Sequence, residues 1–559
     1  MGYPLWFKKH ATIPLLLLLL ILLVPTFWRL IRPGIFSMHD FHVFRLYEYD
    51  KCVADLQIPC RWAPDSAYEY GEPMFNFYAQ LPYAFGEFFR FLGFSVLDSI
   101  KALFISSLVL SATAMFLLAK QFWGNNLSAL ISALIYVYAP YRAVDVWVRG
   151  ALPEALAFIF FPLITYFFND YVFNKNTRSL FLFGVSLAGL ILTHNLSVLM
   201  FLVFFSFWAI YFFTKYKAWN LLPKFILLGI LVFGLTAFYT LPVAFESKLI
   251  TLTETTKGYY DFNLHFVTLK QLLISRYWGY GASQWGEDDR LSLSVGQIQW
   301  ILPVIIAVLV LIKKRQRQYL SFFFLLGLGW FMLLLTHNKS VLIWDLVKPL
   351  SFVQFPWRFL GSAVFLFAFA SGAMFTLFKK SYLNKLLFLV VTTLLISLNT
   401  SFFFEDLWFK FDDREFFSGK NYEQQVTSAI HDFWPKTGSK IPANFAPKAG
   451  FFLEGMGSAK LIEKRSNKQI YTVDSNQNSV VQFPLVYFPG WEGFSDNKKI
   501  NLSPSGEYGL VTVNTKPADK IINLKFVDTP IRVIGNFVSA VSVGALVIFL
   551  IFFKRKKII

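Results

Sequence analysis

The chain is predicted to be a polytopic α-helical membrane protein with a small β-rich domain outside the bilayer. The prediction rests on an apolar composition, about a dozen apolar stretches of spanning length, and basic residues confined to short runs between them. Of 559 residues, 56% are hydrophobic and 15% charged, with a mean hydropathy of +0.50. A soluble domain carries about 25% charge. The 67 Phe, 25 Tyr and 16 Trp suit lipid-facing helices and interfacial belts. A net charge of +18 raises the question of nucleic acid, but the basic residues form no patch on a soluble surface, and nucleic acid is excluded as a partner.

Apolar stretches of roughly 17–25 residues read as spans. They lie near 11–31, 98–120, 127–141, 152–170, 178–194, 197–214, 222–241, 298–312, 318–336, 358–378, 385–402 and 531–553, about twelve transmembrane helices. The first follows Lys8–Lys9, and no small-residue cleavage site follows it, so it reads as an anchor rather than a cleaved signal.

Basic runs set the orientation. With both termini cytosolic, Lys175/Arg178, Lys215/Lys217/Lys224, Lys313-Lys314-Arg315, Lys379-Lys380 and Lys554–Lys557 all fall inside; Arg29 and Arg32 are the exceptions. The terminal Lys556-Lys-Ile-Ile559 fits either an ER retrieval signal or a positive-inside flank at a cell (plasma or inner) membrane. The same alternation places 32–97, 242–297, 337–357 and 403–530 outside, and these longer segments hold the acids, His and aromatics.

Three domains follow: a multi-span part over 1–402, an extracytoplasmic β-rich domain over 403–530, and a final helix with a basic tail over 531–559. Within 403–530, Gln469–Val473, Val480–Val486 and Gly509–Val513 alternate as strands do, separated by Asp474-Ser-Asn, Pro489-Gly490 and Ser503-Pro-Ser-Gly506. This predicts a small sandwich or barrel, serving either as a packing module or as a binding one.

The first outer loop carries Ser37-Met-His-Asp-Phe-His42 and runs on to Arg61-Trp62. A helix from Asp40 would set Phe44, Tyr47 and Lys51 on one face and Phe41, Arg45 and Glu48 on another, lying along the membrane surface. Asp40 between His39 and His42 suits a general base or, with the histidines, a divalent-cation ligand; it equally suits a helix N-cap. Cys52 and Cys60, the only cysteines, are eight positions apart, and their pairing is left open by a helix reaching Cys52.

The next outer turn, Pro140–Glu154, brings Arg142, Asp145, Arg149 and Glu154 near membrane depth, where a charge costs roughly 2.5–3.5 kcal/mol. Either Arg149 and Glu154 pair to tie the turn down, or Glu154 joins Asp40 at one site and Arg149 receives a phosphate. Thr193-His-Asn195, Thr336-His-Asn338 and Phe352–Arg358 end or begin spans. For their polar residues the alternatives are interfacial hydrogen bonding and, for Arg358, snorkelling. The segment 242–297 adds Glu246, Lys248, Arg276, Trp278–Gly281 and Glu287-Asp-Asp289. No GxGxxG, Walker loop, zinc-spaced cysteine set or hydrolase elbow occurs.

An acid just after the first span and a second in the next outer loop resemble the C-type (GT-C) glycosyltransferase superfamily. His39-Asp40 through Arg61-Trp62, Ala139-Pro-Tyr-Arg142 through Glu154, Leu192–Asn195, Gln354–Arg358, and Tyr487–Trp491 followed by Pro530-Ile-Arg532 look like stretches of prokaryotic membrane proteins. Those are the 6-pyruvoyl-tetrahydropterin synthase-related proteins and the neighbouring YfhO-like proteins. The resemblance runs in order over nearly the whole chain. It implies a GT-C-like fold and an inverting hexosyl or pentosyl transfer from a polyprenyl-phosphate sugar at the outer face to an envelope glycan, lipid or protein. It makes Asp40 the catalytic carboxylate and Glu154 its partner, with His39, His42, Arg149, His194 and Arg358 on the donor phosphate. His39-Asp40 departs from the family's paired acids, which favours a metal-independent reaction over a cation-dependent one. A lipid-linked-sugar transporter or flippase, or a non-catalytic envelope assembly protein, is the alternative.

Overall fold

A computed structural model describes residues 9–251, 256–284, 286, 289–427 and 430–555. Lys8, Glu287, Asp288, Lys556 and Lys557, used above, lie outside the described residues. Each expected span falls on helix. Among the described residues eight helices are long and apolar enough to cross a membrane, or ten if two bent pairs each count as one. Thr177–Thr193 and Gln297–Ile312, at 17 and 16 residues, are apolar but shorter, about 24–26 Å at 1.5 Å per residue against a hydrocarbon core of about 30 Å, and stand outside that count.

The chain divides into two compact units that interleave along the sequence, a division different from the boundary drawn at residue 402. The first comprises Met1–Asp40, Leu97–Ile230 and Thr256–Phe411. At its centre, helix Phe359–Ser371 is buried along its whole length and packs on Asn126–Val137 and Leu320–Leu335. Tyr136, Phe161 and Phe204 close on Phe365, with ring centroids 5.2–6.1 Å apart. Helix Ser381–Asn399 leaves Leu386, Leu389 and Leu394 exposed, an apolar flank suited to lipid rather than water. Ile35–Phe36 (β1) pairs antiparallel with Trp408–Phe409 (β2). Beside that ladder Arg29 and Arg32 both grip Glu405, at 3.1 and 2.5 Å. Their exception to the charge rule thus has a local cause: the two cations have a carboxylate of their own.

The second unit comprises Phe41–Val96, Leu231–Thr255 and Asp412–Ile559. Its body is a nine-stranded antiparallel sheet: β3 Ala449–Glu454, β4 Gly457–Arg465, β5 Lys468–Ser475, β6 Ser479–Val486, β7 Trp491–Ser495, β8 Lys498–Ile500, β9 Leu502–Ser505, β10 Leu510–Thr515 and β11 Ile521–Phe526. They run in the order β8-β7-β11-β5-β4-β3-β6-β10-β9. The three alternating runs read from sequence are β5, β6 and β10. Their inward positions, among them Tyr471, Val473, Val481, Phe483 and Val513, are buried, as a period of two requires. The sheet begins at Ala449, not near 403. Before it come β2, which belongs to the first unit, and short helices Asp413–Phe416, Gly419–Val426 and Ile430–Phe433.

Helix His42–Ala54 buries Val43, Phe44, Arg45, Leu46, Glu48, Tyr49 and Cys52. It is therefore an internal helix of this unit and not a surface-lying one. Past its end the chain doubles back, bringing Cys60 within 5.4 Å (Cα–Cα) of Cys52, and the two form a disulfide. Trp62 follows, fully buried against Trp491 and Phe526 at 5.2 and 5.0 Å between centroids. A buried Trp removes some 150–250 Å² from water, roughly 4–6 kcal/mol at about 25 cal/mol per Å². That insertion explains why a loop four hundred residues away in sequence belongs to the sheet's unit.

Candidate active site around Arg149

The turn Pro140–Glu154 is built to present Arg149. Helix Asn126–Val137 breaks at Tyr138-Ala139, and Pro140 opens a second helical piece bent by 53°. Pro lacks an N–H and suits the first helical turn. Val144–Val148 then widen into a π-helical turn, closed by the Arg149 N–H donating to Val144 O at 2.8 Å. Such turns recur at functional sites. Gly150 follows with φ +63°, and an added Cβ there would lie 2.5 Å from Met38 Cβ. This close approach lays Met38-His39-Asp40 against Arg149-Gly150, and the Asp40 N–H donates to Arg149 O at 3.1 Å.

Arg149 Nη1 reaches Asp145 at 2.5 Å and Glu154 at 2.9 Å. Tyr141 Oη donates to the other Glu154 oxygen at 2.6 Å, and Arg358 Nε lies 3.7 Å from Glu154. Glu154 is 1% exposed, and so is fully engaged as an anchor for two guanidinium groups. Both of those groups stack on Trp357, with Arg149 at 4.7 Å and Arg358 at 5.9 Å from the ring centre, a contact worth about 2 kcal/mol when desolvated. Arg358 also donates to Val353 O and Gln354 Oε1, at 2.8 and 3.1 Å. Gln354 itself sits at φ +66°, ψ −48°, a strained backbone of the kind found at ligand clamps.

Asp40, half-buried, is within electrostatic reach of Arg149, Arg358 and His194. His194, at the break between helices Thr177–Thr193 and Asn195–Lys215, shares a hydrogen bond of 2.7 Å with Ser197 Oγ. One partly buried constellation therefore gathers Asp40, Arg149, Glu154, His194 and Arg358. The other two predicted residues turn elsewhere. His39 is exposed and meets Tyr280 O at 2.8 Å. His42 belongs to the second unit, fully buried, with Nδ1 2.8 Å from Tyr83 Oη. The pair cannot flank Asp40 as expected, because the helix begins at His42 and carries that ring inward. Nor is Asp40 the N-cap: Phe41 holds that position, with no side-chain cap bond. His337 accepts from Lys339 N at 3.1 Å and serves a local turn.

Arg142, the remaining charge of this turn, is fully buried. It donates to Ala155 O, Ser107 O and Ser111 Oγ at 3.1–3.3 Å and lies over Phe158. Tyr141 and Trp357 lie inside the Ala139–Arg142 and Gln354–Arg358 stretches without a predicted role, and the adjacency of each to an arginine is the signal that marks them. No group of three or more His, Cys, Asp or Glu able to hold a metal occurs among the described residues. Asp145 and Glu154 are both held by Arg149.

The helices and the sheet define a multi-pass membrane protein with a nine-stranded antiparallel domain. No protein-family model and no curated protein matches the chain. A similar solved structure is the cryo-EM structure of arabinofuranosyltransferase AftD from Mycobacteria, at 11% identity and a TM-score of 0.42. The match covers 72% of this chain and 28% of that one, so the chain spans under a third of that protein's length.

Proposed function

We propose that the protein is an inverting GT-C-type glycosyltransferase that takes a sugar from a polyprenyl phosphate at the outer membrane face. The observation carrying this reading is the convergence of one half-buried carboxylate, Asp40, with two arginines held by a buried Glu154 and an aromatic floor. In this reading Asp40 accepts the proton of the acceptor hydroxyl as its oxygen bonds to the anomeric carbon. The bond from that carbon to the phosphate oxygen breaks, and polyprenyl phosphate leaves. Arg149 and Arg358 offset the charge growing on the departing phosphate, and His194 lies in the same field. Glu154, with no oxygen to spare, is a positioning residue rather than a second base.

The experiment is release of polyprenyl phosphate from lipid-linked sugars by the purified chain, wild type against Asp40→Asn at matched melting temperature. General-base loss lowers turnover about 10²–10⁴-fold. Equal turnover in the variant removes Asp40 from the mechanism.

A further inference from the structure

The second unit holds a cavity of about 330 Å³ at the junction of the first outer loop and the sheet, within the range of about 300–1,000 Å³ usual for small-molecule sites. One wall is β5. Gln469, 2% exposed, lines the cavity there. Its Oε1 accepts from Tyr471 Oη at 2.7 Å, while its amide nitrogen has no hydrogen-bond partner among the described residues. The amide faces the cavity rather than the packed core, where a ligand acceptor can take its N–H.

Glu69, which also lines the cavity, ends a left-handed turn in which Ala67, Tyr68 and Glu69 have φ +54°, +55° and +69°. None is glycine, and this hand costs L-residues roughly 1–2 kcal/mol each. The turn is held from three sides: Lys464 Nζ donates to Glu69 O at 3.0 Å, Tyr422 Oη to Glu69 Oε1 at 3.1 Å, and Tyr68 N to Val426 O at 3.2 Å. Asp65 is bound by Lys464 at 3.2 Å and by Lys51. Lining acids Asp65 and Glu69 balance lining Lys448 and Lys464, and Pro447, Ile462 and Pro484 supply apolar surface.

We propose that this cavity binds a neutral oligosaccharide, the Gln469 amide donating to a sugar hydroxyl and the prolines and Ile462 meeting the sugar's C–H faces. Two acids and two lysines, with Asp65 and Lys464 paired to each other, leave the lining without net charge. Donors and acceptors side by side on a partly apolar wall suit a polyol.

The test is saturation-transfer NMR on the full-length chain in detergent with mannotriose, maltotriose and cellotriose, and with trigalacturonate and inorganic phosphate as charged probes. Gln469→Glu keeps the acceptor for Tyr471 but removes both N–H donors. Ile462→Trp, at a position 63% exposed, fills the mouth without touching the core. Wild type binds at least one neutral trisaccharide, and each variant weakens it about tenfold or more. Should Gln469→Glu not fold, Ile462→Trp decides alone. No binding of any neutral probe, preference for a charged one, or binding that survives in the folded variants overturns the proposal. Because no donor is present, Asp40→Asn retains this binding, and the outcome is independent of the transferase reading.

Discussion

Glu72 is a carboxyl buried within the second unit. It is fully buried, accepts from Ser66, and leaves Oε2 without a hydrogen-bond partner among the described residues. Burial pushes its carboxyl up to about 8, with Asp432 adding to the rise. The folded chain therefore holds a proton that the unfolded chain releases near 4.5. Stability from this group is full below about 4.5 and is lost as pH rises through about 8. Melting of the purified protein is expected to fall by a few degrees between about pH 5.5 and 8.5, and Glu72→Gln is expected to flatten that decline. An unchanged slope in the variant would assign the decline to another group. Asp65 behaves oppositely: against its burial, Lys464 and Lys51 hold it down at about 2, so its contribution persists to strong acid.

At the scale of elements, helix His42–Ala54 and the chain behind it are held by three means: the Cys52–Cys60 bridge, the Trp62 insertion, and a hydrogen bond from Arg61 to Phe238 O at 2.9 Å. Closing a loop of this length restricts the unfolded chain by about 2–3 kcal/mol. Reduction, or Cys60→Ser, should lower the melting temperature by several degrees, read by thermal unfolding with and without reductant. A melt insensitive to reductant would mean that the bridge adds nothing to the packing around it. The alternation of β5, β6 and β10 was readable because a sheet writes its period into the sequence directly. The helix begins at His42 rather than at Asp40, which turns His42 inward and leaves the cap position to Phe41.

At the scale of the molecule, the last helix is tied into the second unit by a buried ion pair. Arg532, fully buried, meets Glu246 at 2.9 Å and donates to Pro489 O at 3.0 Å. Arg61 meets Asn536 on the same helix at 2.8 Å. Breaking such a pair from one side leaves a buried charge and costs about 3–5 kcal/mol. Arg532→Ala is expected to destabilise the unit by that order, while Arg532→Ala with Glu246→Gln recovers part of it; this is measured as detergent-solubilised melting and protease resistance. No recovery in the double variant would show that the pair's charges are not coupled.

Composition, span length and the placement of Lys and Arg were enough to determine that this is a many-helix membrane protein with an antiparallel sheet near its C-terminal end. Those properties are local: hydrophobicity and strand period are summed over neighbours in the chain. Which polar residues meet was decided by tertiary structure alone. Asp40 lies against Arg149 because Gly150 leaves room for Met38 beside the π-helical turn. Glu154 became an anchor because Tyr141, Arg149 and Arg358 converge on it from different elements. Residues 41–96 joined the sheet's unit because Trp62 fills its aromatic core. Long-range pairings of this kind depend on which faces bury which, and a pattern of neighbours along one chain does not encode that.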